Sequence, residues 1–131
     1  MKLELTRKTD LAISALRVLH EAGRRVGARE LAKALHTTST YLPQVMAPLV
    51  RRGWVDSQTG PNGGYQAGAD LATVSTLAVI EAIEGAVDGG TCVLRGGPCG
   101  EVEHCSLHIP WTRARAAMVS ELDKTSVIPE P

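Results

Sequence analysis

Residues 28–68, ARELAKALHTTSTYLPQVMAPLVRRGWVDSQTGPNGGYQAG, contain the pattern that decides the fold. Apolar residues recur at helical spacing in 28–35, and a polar His-Thr-Thr turn separates this segment from a second periodic one. Ser39 or Thr40 is a suitable cap for the second helix, which we expect to run to about Arg52. Two short helices joined by a tight polar turn are typical of a helix-turn-helix, whose second helix enters the major groove of DNA.

The segment after the second helix predicts a β-hairpin. Trp54 and Val55 begin a short strand, the Pro-Asn-Gly-Gly sequence at 61–64 is a strong turn signal, and Tyr65 starts the return strand. Helix, helix and hairpin in this order are the winged-helix arrangement. We therefore expect a mainly α protein that binds DNA, rather than a small helical bundle with an unrelated hairpin.

Three further helices flank this region in the sequence. The first is predicted over 6–23, the fourth over 74–84 and the last over about 107–124, and the final residues, SVIPEP, are expected to fray. The apolar stripe of the last helix comprises Leu107, Trp111, Ala114, Met118 and Leu122. Since a long terminal helix is a common dimer element, we predict a winged helix-turn-helix domain at 1–70, followed by a cysteine loop and a dimerisation helix within 71–131.

The net charge is zero, but the charges are distributed unevenly along the chain. Residues 1–65 contain ten Lys and Arg against five Asp and Glu, a net charge of +5, whereas 66–131 contain four against nine, a net charge of −5. A phosphate-binding surface is therefore expected in the first half. Because no apolar run approaches the roughly 20 residues of a membrane helix and no secretory signal is evident, we predict a cytoplasmic protein without a membrane partner.

All three cysteines lie in one Gly-rich stretch, TCVLRGGPCGEVEHCSLH, within a loop predicted over about 88–106. Cys92, Cys99 and Cys105 have the spacing C-x6-C-x5-C. An odd number of cysteines leaves one without an intramolecular disulfide partner, and the spacing lacks the C-x2-C pair of most structural zinc sites. Three thiolates on one flexible loop suit a metal ion or an iron–sulfur cluster, for which a fourth ligand is needed.

The ordered set of motifs resembles the IscR/NsrR (Rrf-type) family of winged-helix transcription regulators along nearly the whole chain. The resemblance rests on the opening MKLELTRKTDLAISAL, on TSTYLPQVMAPLVRRGWVDS, on the wing GPNGGY, and on VIEAIEG followed by the three cysteines. It implies a homodimer that binds palindromic double-stranded operator DNA. It also implies an iron–sulfur cluster in the cysteine loop, whose state sets DNA affinity in response to nitric oxide, redox stress, or the supply of iron or clusters.

The resemblance offers two residues as the fourth ligand. His108 forms a C-x2-H pair with Cys105, which resembles the three-cysteine, one-histidine site of the IscR branch around a 2Fe–2S cluster. Asp10 lies in the first helix where the NsrR branch has an aspartate that reaches a 4Fe–4S cluster of the partner subunit. Because a weakly held carboxylate is easily displaced by nitric oxide or oxygen, we favour Asp10 and a 4Fe–4S cluster. His104 is a third candidate without support from the family.

Two cluster-free alternatives use the same residues. Zinc would be bound tetrahedrally by Cys92, Cys99, Cys105 and His108, since three thiolates and one imidazole suit this ion. A thiol switch would instead pair two cysteines on oxidation. A cysteine enzyme is not expected, because no acidic orienting residue or oxyanion motif accompanies the thiols.

The predicted contacts with DNA come from three places: the start of the second helix of the pair, the arginines that close this helix, and the tip of the wing. The residues are Thr38, Ser39, Thr40, Tyr41, Gln44, Arg51, Arg52, Asn62 and Gly63. Among them, Gln44 suits the edge of an adenine, and the hydroxyl groups suit phosphates or either base partner.

Two positions depart from the family pattern. Pro43 stands where the IscR branch carries a glutamate that reads bases, so this contact is absent. Thr59 stands where the family has a wing arginine that enters the minor groove, which weakens the electrostatic readout by the wing. A further proline, Pro48, is expected to kink the second helix.

Overall fold

The computed structural model describes residues 1–87, 92–94, 97 and 104–130. Its helices and strands are α1 Arg7–Ala22, α2 Ala28–Ala34, α3 Leu42–Arg51, β1 Val55–Gln58, β2 Gly64–Ala67, α4 Thr76–Glu84 and α5 His108–Lys124, with a short 3-10 turn at Leu71–Thr73. This order confirms the predicted mainly α fold, in which a helix pair is followed by a hairpin and, later, by a long C-terminal helix.

The start of α3 differs from the prediction. Neither Ser39 nor Thr40 caps this helix; the residue that precedes it is Tyr41, and no side chain caps it. The hydroxyl of Thr38 accepts a hydrogen bond from the Tyr41 N–H at 3.1 Å. Pro43 explains the later start, because a proline in the first turn has a fixed φ and lacks an N–H where the helix would leave it unpaired. The helix then continues through Pro48 to Arg51.

The wing is a two-stranded antiparallel sheet that is joined to the helices by a single extra residue. Ser57 of β1 lies opposite Tyr65 of β2. On the other side of β2, Val26 and Tyr65 exchange two backbone hydrogen bonds of 2.8 Å each. Val26, in the loop between α1 and α2, therefore forms an isolated β-bridge with β2, and this bridge fixes the wing against the helix-turn-helix.

One aliphatic core connects the two parts of the chain. Its largest fully buried side chains are Leu16, Leu19, Leu31, Leu42, Val45, Met46, Leu49, Leu71, Val79 and Val127. Residues from the helix-turn-helix, from α4 and from the C-terminal segment belong to the same cluster. A change in α4 or in the C-terminal segment therefore reaches α3 through direct packing.

The expectation that the C-terminal tail frays is wrong for residues 126–128, and Pro131 lies outside the described residues. The side chain of Val127 is fully buried, and its N–H donates to the carbonyl of Val74 at 2.9 Å. Its carbonyl accepts from Nε of Arg17 at 3.0 Å, and Ser126 forms a β-bridge with Ser75. These partners are distant in sequence, so no local pattern in SVIPEP reveals them.

A polar contact joins the beginning of α1 to the end of α4. Thr9 is the buried polar residue of the described core, and its hydroxyl donates to Oε2 of Glu84. The same oxygen accepts from the backbone N–H of Thr6 at 3.2 Å and from its hydroxyl at 3.3 Å. Since Glu84 is the last residue of α4, the segment that contains the cysteines begins at a point fixed to α1.

We expect Thr9→Val to lower the free energy of unfolding by about 1–3 kcal/mol, because it leaves the Glu84 carboxylate without its buried donor. The measurement is denaturant unfolding at one fixed protein concentration. Thr40→Val is the matched control, since Thr40 is exposed and its hydroxyl makes no hydrogen bond among the described residues; it should cost less than about 0.5 kcal/mol. Equal effects of the two substitutions would show that the contact does not stabilise the fold.

Candidate nucleic-acid interface and metal site

The outward face of α3 is the centre of the candidate nucleic-acid interface. Val45, Met46 and Leu49 are fully buried, so the opposite side of the helix faces solvent. Gln44 is exposed on that side, as expected for a residue that reads bases, and its amide makes no hydrogen bond among the described residues. Pro43 is exposed beside it.

The residues that precede α3 divide into two groups. Thr38, Ser39 and Thr40 are exposed, and the Thr38 hydroxyl, which accepts from the Tyr41 N–H, can still donate to a phosphate. Tyr41 is half-buried, and its ring packs against the core. The hydroxyl groups are therefore placed for phosphate contacts, whereas much of the Tyr41 side chain has a structural role.

The two arginines that close α3 point to different places. Arg51 lines an open cleft of about 310 Å³ between α3 and the wing, together with Ser57 and Tyr65. The guanidinium carbon of Arg52 lies 5.6 Å from the centroid of the Trp54 ring, in a cation–π contact. Arg51 is thus the better placed of the two for a phosphate beside α3.

The tip of the wing presents Asn62, which is exposed. The N–H of Gly63 already donates to the carbonyl of Gly60 at 2.9 Å within the turn. A side chain at position 63 would not fit, because its Cβ would lie 2.3 Å from the carbonyl oxygen of Gln58. The exposed side-chain donor at the wing tip is therefore the Asn62 amide, whereas the Gly63 N–H is used within the turn.

Tyr65 is a candidate contact that the sequence analysis did not identify. It lines the cleft beside α3 and a second open cleft between the wing and the start of α2. A phenol is protonated at neutral pH and can donate to a phosphate, and burial raises the pKa of the Tyr65 phenol further. The cross-strand position of Tyr65, opposite Ser57, could have suggested this role, because both side chains share one face of the hairpin.

Some of the basic side chains in residues 1–65 form ion pairs within the fold. Arg25 donates to the carbonyl of Gly64 at 3.0 Å and forms an ion pair with Asp56, which ties the α1–α2 loop to the wing. Arg24 pairs with Glu30 at 2.7 Å, and the hydrogen bond from this guanidinium lowers the pKa of the Glu30 carboxyl. The exposed cations on α2 and α3 are Arg29, Lys33, Arg51 and Arg52.

Two of the three cysteines lie in the described residues, and both are buried. Cys92 is 5% exposed and Cys105 is 7% exposed. The N–H of Cys92 donates to the carbonyl of Gly97, and the carbonyl of Cys105 accepts from the N–H of His108 at 3.1 Å, where α5 begins. Cys99 lies outside the described residues.

The histidines near Cys105 are paired with each other. The rings of His104 and His108 stack with their centroids 3.7 Å apart and their planes at 4°. Of the two, His108 is half-buried and His104 is exposed. His108, the candidate ligand, thus begins α5 three residues after Cys105 and stacks on His104.

Asp10, the other candidate ligand, is in the first turn of α1 and is exposed. Its carboxylate forms an ion pair with Arg7 at 2.8 Å on the surface of the helix. An exposed carboxylate held only by a surface ion pair is accessible to a second chain, because such pairs contribute little to stability.

The donor set fits a soft metal centre. Within residues 1–87, 92–94, 97 and 104–130, no three His, Cys, Asp or Glu side chains form a group that could hold a metal ion. The two described thiols are nevertheless withdrawn from water on the segment between α4 and α5. Cysteine sulfur with one imidazole or carboxylate suits an iron–sulfur cluster, and with an imidazole it also suits zinc.

The last helix buries none of its residues against the described part of its own chain. Ile109 and Met118 of this 17-residue helix are exposed, as is Leu107 immediately before it. No helix in the described residues is long and apolar enough to cross a membrane.

The amino-acid sequence is similar to those of known transcriptional regulators. The family profile described as Rrf2, iron-dependent transcriptional regulator, matches residues 5–128. The HTH-type transcriptional regulator IscR of Vibrio vulnificus is 32% identical over 111 residues, which are 83% of this chain and 66% of that protein. The chain thus spans slightly less than two thirds of the length of this relative.

Solved structures of regulators have the same fold. The global cysteine regulator CymR of B. subtilis superposes with a TM-score of 0.77 at 23% identity, over 96% of this chain and 94% of CymR. The IscR of T. potens gives a TM-score of 0.75 at 19% identity, over 97% of this chain and 85% of the other. At these identities the likeness concerns the fold alone, which agrees with the predicted winged helix-turn-helix.

Proposed function

The chain belongs to the Rrf2 family, and from this we propose that it is a cytoplasmic, homodimeric transcriptional regulator whose affinity for operator DNA is controlled by an iron–sulfur cluster. The observation that carries the proposal is the combination of a solvent-facing α3 and wing with two buried cysteines, Cys92 and Cys105, on the segment between α4 and α5. The family membership also agrees with the prediction that the chain is not an enzyme, since the named relatives are transcriptional regulators.

In the DNA-binding half, α3 enters the major groove of a palindromic operator. Gln44 reads a base edge, and the hydroxyl groups of Thr38, Ser39 and Thr40 bind phosphates. Arg51 adds a charged contact at the other end of α3, while Asn62 approaches the minor groove from the wing. Arg52 contributes less, because its guanidinium lies over Trp54.

In the sensor half, Cys92, Cys99 and Cys105 hold the cluster. Asp10 of the second chain completes a 4Fe–4S site, or His108 of the same chain completes a 2Fe–2S site. The bound cluster supplies iron centres that react with nitric oxide or oxidants and that are lost when iron is scarce. The chain itself keeps Cys92 and Cys105 away from water and holds the beginning of their segment at Glu84.

The two halves communicate through α1 and α4. Glu84 accepts from Thr6 and Thr9, and Asp10 is the next residue along α1. A cluster bound by Asp10 would therefore act on α1, which also packs against α3 in the common core. For Asp10 to act as the fourth ligand, the two chains must pack so that the start of α1 of one chain meets the cysteine segment of the other.

The test is the metal content of protein purified without air. We expect iron and acid-labile sulfide in the wild type, with charge-transfer absorbance, and the loss of both in Cys92→Ala and Cys105→Ala. Ser106→Ala is the matched control, since Ser106 is exposed on the same segment, and it should retain the cluster. Thermal unfolding of each variant separates cluster loss from misfolding.

Three outcomes decide between the proposals. Iron and sulfide that disappear with the cysteines, together with operator affinity that changes on cluster loss, support the cluster-sensing regulator. One zinc ion per chain without sulfide supports a zinc-stabilised regulator instead. Protein without any metal even after cluster reconstitution, whose DNA affinity changes on oxidation, supports the thiol switch.

A further inference from the structure

Part of the exposed face of α3 is apolar. A helix that recognises polar base edges would have charged side chains at these positions. Pro43 is exposed, and Ala47, one helical turn later, is half-exposed on the same side. Both line the open cleft that α3 forms with Ser57 and Tyr65 of the wing, and Arg51, the last residue of α3, lines it at the other end of the helix. Gln44 lies between them along the helix and is the polar side chain that this part of the face presents.

This composition restricts which base edges α3 can read. α3 has no acidic residue in its first turn, so the acceptor that would pair with the amino group of cytosine is missing there. Guanine is read best by arginine or lysine, and the arginine of α3 lies at the opposite end of the helix. In the major groove, the group that fits an apolar side chain is the C5-methyl of thymine.

We propose that this chain recognises its operator through thymine methyl groups, which pack against Pro43 and Ala47 in the major groove. The inference rests on the proposed DNA-binding function and specifies its ligand as duplex DNA with consecutive A·T pairs in each half-site. Gln44 pairs with an adenine, while the neighbouring apolar atoms contact the methyl groups of nearby thymines. The N-terminal part of a recognition helix is the part that reaches base edges, and Pro43 is the second residue of α3.

The test replaces thymine by deoxyuridine, which removes the methyl group and leaves all hydrogen-bonding groups of the base unchanged. An operator is first selected from randomised duplexes with the wild-type protein, and each thymine of a half-site is then replaced in turn. We expect about fourfold weaker binding at one or two positions per half-site, the factor that corresponds to one buried methyl group. Binding is measured at one fixed salt concentration, because the phosphate contacts are salt-dependent.

Two variants link the methyl effect to particular side chains. Pro43→Ser and Ala47→Ser should each bind the thymine and deoxyuridine duplexes with equal affinity at one position. Arg51→Ala should weaken binding to both duplexes by the same factor and leave their ratio unchanged. If one serine variant unfolds, the wild-type series still decides whether the methyl groups contribute, and the other serine variant tests the assignment to its side chain.

Sequence-specific binding with equal affinity for thymine and deoxyuridine at every half-site position would overturn the inference and leave the proposed function intact. Failure to select any sequence, with cluster-loaded and cluster-free protein alike, would overturn the proposed function and this inference with it. A methyl effect that persists unchanged in both serine variants would also overturn the assignment to Pro43 and Ala47.

Discussion

A mixed dimer that combines one Asp10→Ala chain with one Cys105→Ala chain is expected to keep one complete cluster, about half the iron of the wild-type dimer. In this dimer, the Asp10→Ala chain retains all its cysteines and receives Asp10 from its partner. The other cluster site lacks both Cys105 and a carboxylate. The measurement is iron and sulfide per dimer after anaerobic purification through a different affinity tag on each chain.

The placement of Asp10 is the reason for this expectation. Its carboxylate is exposed on α1 and paired only with Arg7 among the described residues, whereas Cys92 and Cys105 are buried. A carboxylate on the outside of one chain meets a cluster more readily across a dimer than within its own chain. The effect should be all or none at each site, because a cluster with an incomplete set of ligands is readily lost.

The matched control is the dimer of a wild-type chain with a chain that carries both substitutions. It contains the same two changes, but neither site is complete if Asp10 acts across the dimer, so it should hold almost no iron. If Asp10 instead binds the cluster of its own chain, the first mixed dimer should hold almost no iron and the control dimer should hold one cluster. If both mixed dimers keep one cluster, Asp10 is not a ligand, and His108→Ala should then remove the cluster from the homodimer.

Sequence reasoning succeeded where the determining contacts are local. Helix α1 was predicted over 6–23 and runs from Arg7 to Ala22, because its caps, Thr6 and Gly23, are adjacent to it. The hairpin was predicted from its turn, since the glycines of the turn are close in sequence to both strands. The outward position of Gln44 followed from helical periodicity alone.

The sequence was less informative where contacts join distant residues. The hydrogen bonds of Val127 with Val74 and Arg17, and that of Thr9 with Glu84, connect residues at least 50 positions apart. Nothing in the local pattern of the tail distinguishes a docked segment from a frayed one. The start of α3 was misplaced for a different reason: three consecutive polar residues can each cap a helix, and Pro43 decided which turn became helical.

The candidate site has the same division. The three thiols could be identified directly from the sequence, but the burial of Cys92 and Cys105 and the stacking of His104 on His108 could not. The sequence also does not show that Arg25 holds the wing to the α1–α2 loop, because a basic residue near a helix-turn-helix is equally suited to bind a phosphate. The positive charge of the first half therefore overstated the number of cations available to DNA.

Gly64→Ala is expected to have the largest effect on the DNA-binding half, lowering the free energy of unfolding by about 3 kcal/mol or more. Gly64 has a φ of +132°, and a Cβ there would lie 2.1 Å from the carbonyl oxygen of Val26. This oxygen belongs to the backbone and accepts from Tyr65 at 2.8 Å, so it cannot move without breaking the bridge between the wing and the α1–α2 loop. Denaturant unfolding at fixed protein concentration measures the loss, and operator binding should fall with it.

Gly60→Ala is the control, because Gly60 belongs to the same hairpin and also has a positive φ, +97°, but its added Cβ would meet no atom within 4 Å. Gly60→Ala should therefore lower the free energy of unfolding only by the conformational strain, about 1–2 kcal/mol. The difference between the two alanine variants thus isolates the contact with Val26 from the strain that both share. If the two variants were equally stable, the hairpin would tolerate separation from the α1–α2 loop, and the Val26–Tyr65 bridge would not be what fixes the wing.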